Sequence, residues 1–115
     1  MTVRTRTAPF GAVVLLSVVV LFMPASGTPA VYPGLDKLIH LGLFAGLALT
    51  GWWAGVRPAA LAVGLVAYAG ASEVLQGVLP IGRDAAWGDA LADVAGAAVG
   101  LLVARSVATR RAGRA

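Results

Sequence analysis

The chain has 115 residues, 59% hydrophobic and only 12% charged, with a formal net charge of +4 and a mean hydropathy of +0.87. Soluble domains carry about 25% charged residues, so this composition cannot cover a water-facing surface, and it leaves no stretch for a separate soluble catalytic or nucleic-acid-binding domain. The positive charge therefore speaks for membrane orientation, with no nucleic-acid partner expected, and the lack of cysteine excludes disulfides, iron–sulfur clusters and thiolate metal sites.

Four apolar runs, at about 9–23, 38–56, 59–79 and 90–107, approach the ~20 residues that span a hydrocarbon core. They predict an all-α integral membrane bundle of about four transmembrane helices over residues 1–107, followed by a basic cytoplasmic tail at 108–115 that frays. The first run follows Arg4 and Arg6 and closes at Pro24 before Ala25, Ser26 and Gly27, a pattern that also describes a secretory signal peptide. A retained first helix is favoured, because the later runs continue as membrane spans.

Residues 27–34 are Pro-rich and free of charge, and predict an extended loop on one membrane face. The second helix then opens with Asp36 in its first turn, where an acid suits the positive end of the helix dipole, and with His40 a turn deeper on the same face. Trp52 and Trp53 mark the opposite interface, and Arg57 with Pro58 makes a short turn into the third helix. Glu73 and Gln76, three residues apart, lie on one side of that helix near its end. Pro80 and Gly82 break it, and Arg83, Asp84 and Trp87 predict an interfacial loop. In the fourth helix Asp89, Asp93, Gly96 and Gly100 stand at offsets of 0, 4, 7 and 11. At 100° per residue all four fall within about 60° of each other, which gives one face that is acidic at its start and glycine-lined beyond.

Placing both termini in the cytoplasm puts Arg4, Arg6, Arg57, Arg105, Arg110, Arg111 and Arg114 inside and leaves only Lys37 and Arg83 outside. Asp36, Lys37, His40, Glu73, Gln76, Arg83, Asp89 and Asp93 then gather toward the outer leaflet on three helices, with His40, Glu73 and Asp93 able to share one layer. An ionisable side chain at the bilayer centre costs at least ~2.5–3.5 kcal/mol, so such groups face the bundle interior and find partners. Interhelical glue explains each of them singly, whereas a pocket open to the outside explains them together. Lys37 and Arg83 suit an anionic group, and Gly96 and Gly100 suit close helix packing, within the bundle or in a homodimer. No metal and no cofactor is expected, since a lone His with oxygen ligands has no diagnostic spacing, and the nucleotide, zinc-protease and serine-hydrolase motifs are missing.

The succession YPGLDKLIHLGLFAGLAL, SEVLQ and IGRDAAWGDALADVAGAAVG resembles the VanZ-like family of small bacterial membrane proteins over residues 32–100. The family pattern is Asp-Lys-x-x-His opening a helix, Glu-x-x-Gln, an Arg, then Asp and Asn before Gly-x-x-x-Gly. Asp36, Lys37, His40, Glu73, Gln76, Arg83 and Asp89 fall on its polar positions, and Asp93 stands where many members have Asn. The resemblance implies a protein of the bacterial cytoplasmic membrane and a link to teicoplanin, a glycopeptide antibiotic. Two functions are open: recognition of a cell-envelope lipid headgroup or glycopeptide, or a small membrane enzyme acting on a lipid-linked envelope substrate. In the second, Glu73 or Asp93 would be the acid or base and His40 its proton partner.

Overall fold

A computed structural model describes residues 3–23, 34–82 and 86–114 of the chain. Its fold is all-α, with α1 Val3–Phe22, α2 Leu35–Trp53, α3 Pro58–Val78 and α4 Trp87–Arg114. The helices run alternately up and down. Arg6 at the start of α1 reaches the carbonyl of Trp53 at the end of α2, and Gln76 at the end of α3 reaches Leu21 at the end of α1. Lys37 and Asp89, at the starts of α2 and α4, meet at that second end.

Three helices, α1, α3 and α4, contain spans long and apolar enough to cross a membrane: Thr5–Phe22, Pro58–Val78 and Trp87–Gly113. The chain is thus a multi-pass membrane protein. Helix α2 is the shortest at 19 residues. It packs against all three others, most extensively against α4. That central position accounts for its composition: His40 is placed where neighbouring helices shield it rather than in lipid, while Asp36 and Lys37 stay half-exposed in the first turn.

Helical periodicity sets the core. Helix α2 buries His40, Phe44, Leu47, Ala48 and Gly51, and α3 buries Leu61, Leu65, Ala69, Ser72, Glu73 and Gln76. Both sets follow three- and four-residue steps, the spacing of one helix face. Phe44 stacks on Tyr68 with ring centroids 5.5 Å apart. The Tyr68 hydroxyl in turn pairs with Ser17 Oγ at 2.9 Å, a polar tie between α1 and α3. Outward positions stay apolar, among them Leu15, Val63, Leu91 and Leu102, as a lipid-facing surface requires.

Gly96 and Gly100 determine how closely α2 and α4 approach. A Cβ on Gly96 would fall on the backbone of Leu41, and one on Gly100 would lie 2.6 Å from the Ala45 carbonyl oxygen. The glycine face is therefore used inside the bundle, against α2. At the opposite turn Gly55 adopts φ 93°, which lets the chain reverse from α2 to α3 within a few residues.

The helices also depart from the apolar runs. Helix α1 begins at Val3 and takes in Pro9, and α2 and α4 begin three residues earlier than their runs because charged first turns are still helix. The basic tail does not fray: α4 continues to Arg114. Ala and Arg are strong helix formers, and the tail extends a helix already nucleated by packing. Helix α3 ends at Val78, with Leu79 extended before Pro80, as the proline ring dictates. Trp87 opens α4 rather than lying in a loop. The proposed extended connection before Gly34, the cleavage-like segment after Pro24, and Arg83 and Asp84 lie outside the described residues.

Candidate functional site

At the end of the bundle where α2 and α4 begin and α3 finishes, three helices deliver one polar side chain each to a common point. His40 comes from the second turn of α2, Glu73 from the last turns of α3 and Asp93 from the second turn of α4. One nitrogen or oxygen from each lies within 4.8 Å of those of the other two. Glu73 and Asp93 are 0% exposed and His40 5%. The close α2–α4 approach at Gly96, one turn below Asp93, brings His40 and Asp93 into contact.

Each acid is held by one oxygen and bare at the other. Nδ1 of His40 and Oδ1 of Asp93 share a hydrogen bond at 2.7 Å. The backbone N–H of Ala86, just before α4, donates to Oε2 of Glu73 at 2.8 Å. Glu73 Oε1 and Asp93 Oδ2 are buried and have no hydrogen-bond partner among the described residues. Buried polar groups are seldom left this way, because an unpaired buried oxygen forfeits the hydrogen bonds it made in water. With Nδ1 bound to Asp93, the imidazole turns Nε2 toward Asp89, whose Oδ2 is 3.8 Å away.

Above this layer lies a more exposed rim. Lys37 Nζ donates to Asp89 Oδ1 at 3.1 Å and sits 3.6 Å from Asp36 Oδ2. A polar path thus runs from the half-exposed Lys37 and Asp36 through the largely covered Asp89 to the buried triad. Among the described residues, four carboxylates at this end face one ammonium, and that ammonium is already engaged by two of them. The Lys37 stem passes 3.2 Å from where a Cβ on Gly88 would be, so Gly88 leaves space for the rim lysine.

The residues expected from sequence separate into three groups. His40, Glu73 and Asp93 are brought together, and Asp36, Lys37 and Asp89 form the rim over them. Gln76 is buried but directed elsewhere: its Nε2 donates to the Leu21 carbonyl at 2.6 Å and ties α3 to the end of α1. Sequence reasoning missed the Ala86 amide and Gly88. A backbone donor leaves no mark in side-chain chemistry; Gly88, between Trp87 and Asp89, was the one readable hint.

These features define a small multi-pass helical membrane protein with a buried His/Glu/Asp cluster at one end. Comparison with protein-family models, curated proteins and solved structures gave no match.

Proposed function

We propose that this is a VanZ-like protein of a bacterial cytoplasmic membrane whose polar end faces outward and recognises a cell-envelope lipid headgroup or a glycopeptide. The observation that supports this most is the pair of bare, buried carboxylate oxygens on Glu73 and Asp93 beneath a charged rim. Acceptors without donors fit a ligand that brings amines, amides or hydroxyls, groups that headgroups and glycopeptides both carry. Lys37 at the mouth, with Arg83 as the expected second cation, supplies attraction for an anionic part of the same ligand.

The outward orientation rests on the distribution of Lys and Arg. Arg6, Arg57, Arg105, Arg110 and Arg111 belong to the end opposite the cluster, so a cytoplasmic basic end makes the acidic end external. Reporter fusions after Arg57 and at Ala115 should read cytoplasmic, and one near Gly82 external. The reverse pattern overturns the outward pocket.

The functional test is tolerance to teicoplanin in a susceptible bacterium expressing the chain. The wild type should raise tolerance, and Glu73→Gln or Arg83→Ala at equal membrane levels should return it to the vector baseline. Full tolerance in both variants would reduce the cluster to interhelical glue.

A second reading, a small membrane enzyme on a lipid-linked substrate, is favoured by one contact. The Asp93–His40 pair orients the imidazole and aims Nε2 toward the rim, the arrangement of a general base held by a carboxylate. Turnover of a lipid-linked substrate by purified protein, lost in His40→Gln, would decide for it.

A further inference from the structure

We infer that His40, Glu73 and Asp93 form a binding site for one divalent transition-metal cation, of the Mn2+ or Zn2+ type. The inference shares the cluster with the proposed function and rests on that cluster being a site, but it does not depend on which envelope ligand is bound.

The first ground is ligand geometry. Two ligands that each stand about 2.1 Å from one ion are at most about 4.2 Å apart. The three donor atoms here already lie within 4.8 Å of one another, so rotamer adjustments of about half an ångström complete the set. The second ground is the state of the oxygens. Each carboxylate is oriented by a donor on one oxygen, the Ala86 amide for Glu73 and the His40 ring for Asp93. Its other oxygen is bare and fully buried. Glu73 anchored in this way presents its free oxygen without needing to be ordered on binding, and at the other two ligands the ion would take the place of the proton between His40 Nδ1 and Asp93 Oδ1, which already stand side by side at 2.7 Å.

Charge favours a dication over a neutral donor. Asp36, Glu73, Asp89 and Asp93 converge on this end, and Lys37 is spent on Asp89 and Asp36 at the surface. Among the described residues no lysine or arginine is paired with Glu73, and His40, the basic side chain beside it, is shared with Asp93 and Asp89. An imidazole with two or three carboxylates suits Mn2+, Fe2+ or Zn2+, whereas Ca2+ and Mg2+ prefer all-oxygen sets. Three side-chain ligands from three helices leave positions open toward Asp89 and the rim, where a phosphate or hydroxyl of an incoming ligand would meet the ion. The sequence brings these three residues to one layer but gives no diagnostic metal spacing, because the ligands come one from each helix.

The test uses the full chain in detergent, stripped with a chelator and titrated with Mn2+ under electron paramagnetic resonance. One Mn2+ per chain should bind and Zn2+ should displace it. Glu73→Gln and Asp93→Asn should each weaken binding by about 100-fold or more. Asp36→Asn, at the exposed rim, should change it less than about fivefold, as expected for a surface charge. His40 is the chain's one histidine, so its 15N-labelled imidazole signals give a readout that needs no variant: bound Mn2+ should broaden them, and Zn2+ should shift them. Circular dichroism and monodisperse elution check that each variant is folded. Three results would overturn the site: no Mn2+ or Zn2+ bound above the detergent blank, ions bound with the His40 signals unmoved, or binding unchanged in the folded Glu73→Gln/Asp93→Asn double variant. A protonated-carboxyl infrared band with no metal uptake would mean that Glu73 and Asp93 share a proton instead. Metal binding with no effect of Glu73→Gln on teicoplanin tolerance would leave the metal site standing and sink only the envelope-ligand reading.

Discussion

The two ends of the bundle treat charge in opposite ways. At one end Arg6, Arg57, Arg105, Arg110 and Arg111 stand at the surface, and Arg6 makes its contact with a helix-end carbonyl, Trp53 O, at 2.8 Å. At the other end Glu73 and Asp93 are fully buried, each with an oxygen left unpartnered among the described residues. Exposed arginines at this end cost little and contribute little, because water and headgroups solvate them. Buried acids are expensive, so their retention inside an oily bundle points to use rather than to stability. The basic end is solvated, and the acidic end holds the buried His/Glu/Asp cluster.

Four substitutions test this contrast, beginning with the packing that assembles the acidic end. Gly96→Val places branched carbon on the Leu41 backbone and should separate α2 from α4. A loss of about 3 kcal/mol or more is expected, with the thermal midpoint falling by more than about 10 °C. A normal midpoint would mean that the two helices need not approach so closely.

Glu73→Gln comes next, and its effect should be on function alone. It removes a buried negative charge while keeping an oxygen for the Ala86 amide, so stability should stay within about 1 kcal/mol of wild type or rise. Teicoplanin tolerance and Mn2+ uptake should both disappear. A variant that unfolds instead would place Glu73 among the groups that hold the bundle together.

Gln76→Ala should behave the opposite way. Its amide serves the Leu21 carbonyl rather than the triad, so removal should cost about 1–3 kcal/mol by leaving that buried carbonyl unpaired. Metal uptake per folded molecule should not change. Loss of uptake at intact stability would return Gln76 to the site.

Arg6→Ala should have the smallest effect. Its two contacts with the Trp53 carbonyl are exposed, and about 0.5–1 kcal/mol is expected in low salt, shrinking as salt is added. A drop as large as that of Gln76→Ala would show that the basic end is structural after all.

Much of this architecture was legible in the chain. Composition required a membrane, apolar run lengths gave the helices to within a few residues except at α1 and the tail, and the three-and-four spacing of Glu73 with Gln76 and of Asp89 with Asp93 showed that polar faces existed. Helix ends were misread where hydropathy and helix propensity disagree: residues 108–114 are too polar for a lipid-spanning run, yet favourable for helix. Periodicity states which residues share a face of one helix, and it is silent on how that face is rotated toward the others. The sequence could place His40, Glu73 and Asp93 in one layer, but only the tertiary structure could decide that Gln76, one turn on from Glu73, turns to α1. The deciding contacts were the Gly96–Leu41 approach and the Ala86 amide, a missing side chain and a backbone N–H. The glycine spacing showed a close-packing face without naming its partner, a backbone N–H leaves no mark in a sequence, and both act only once the helices are packed.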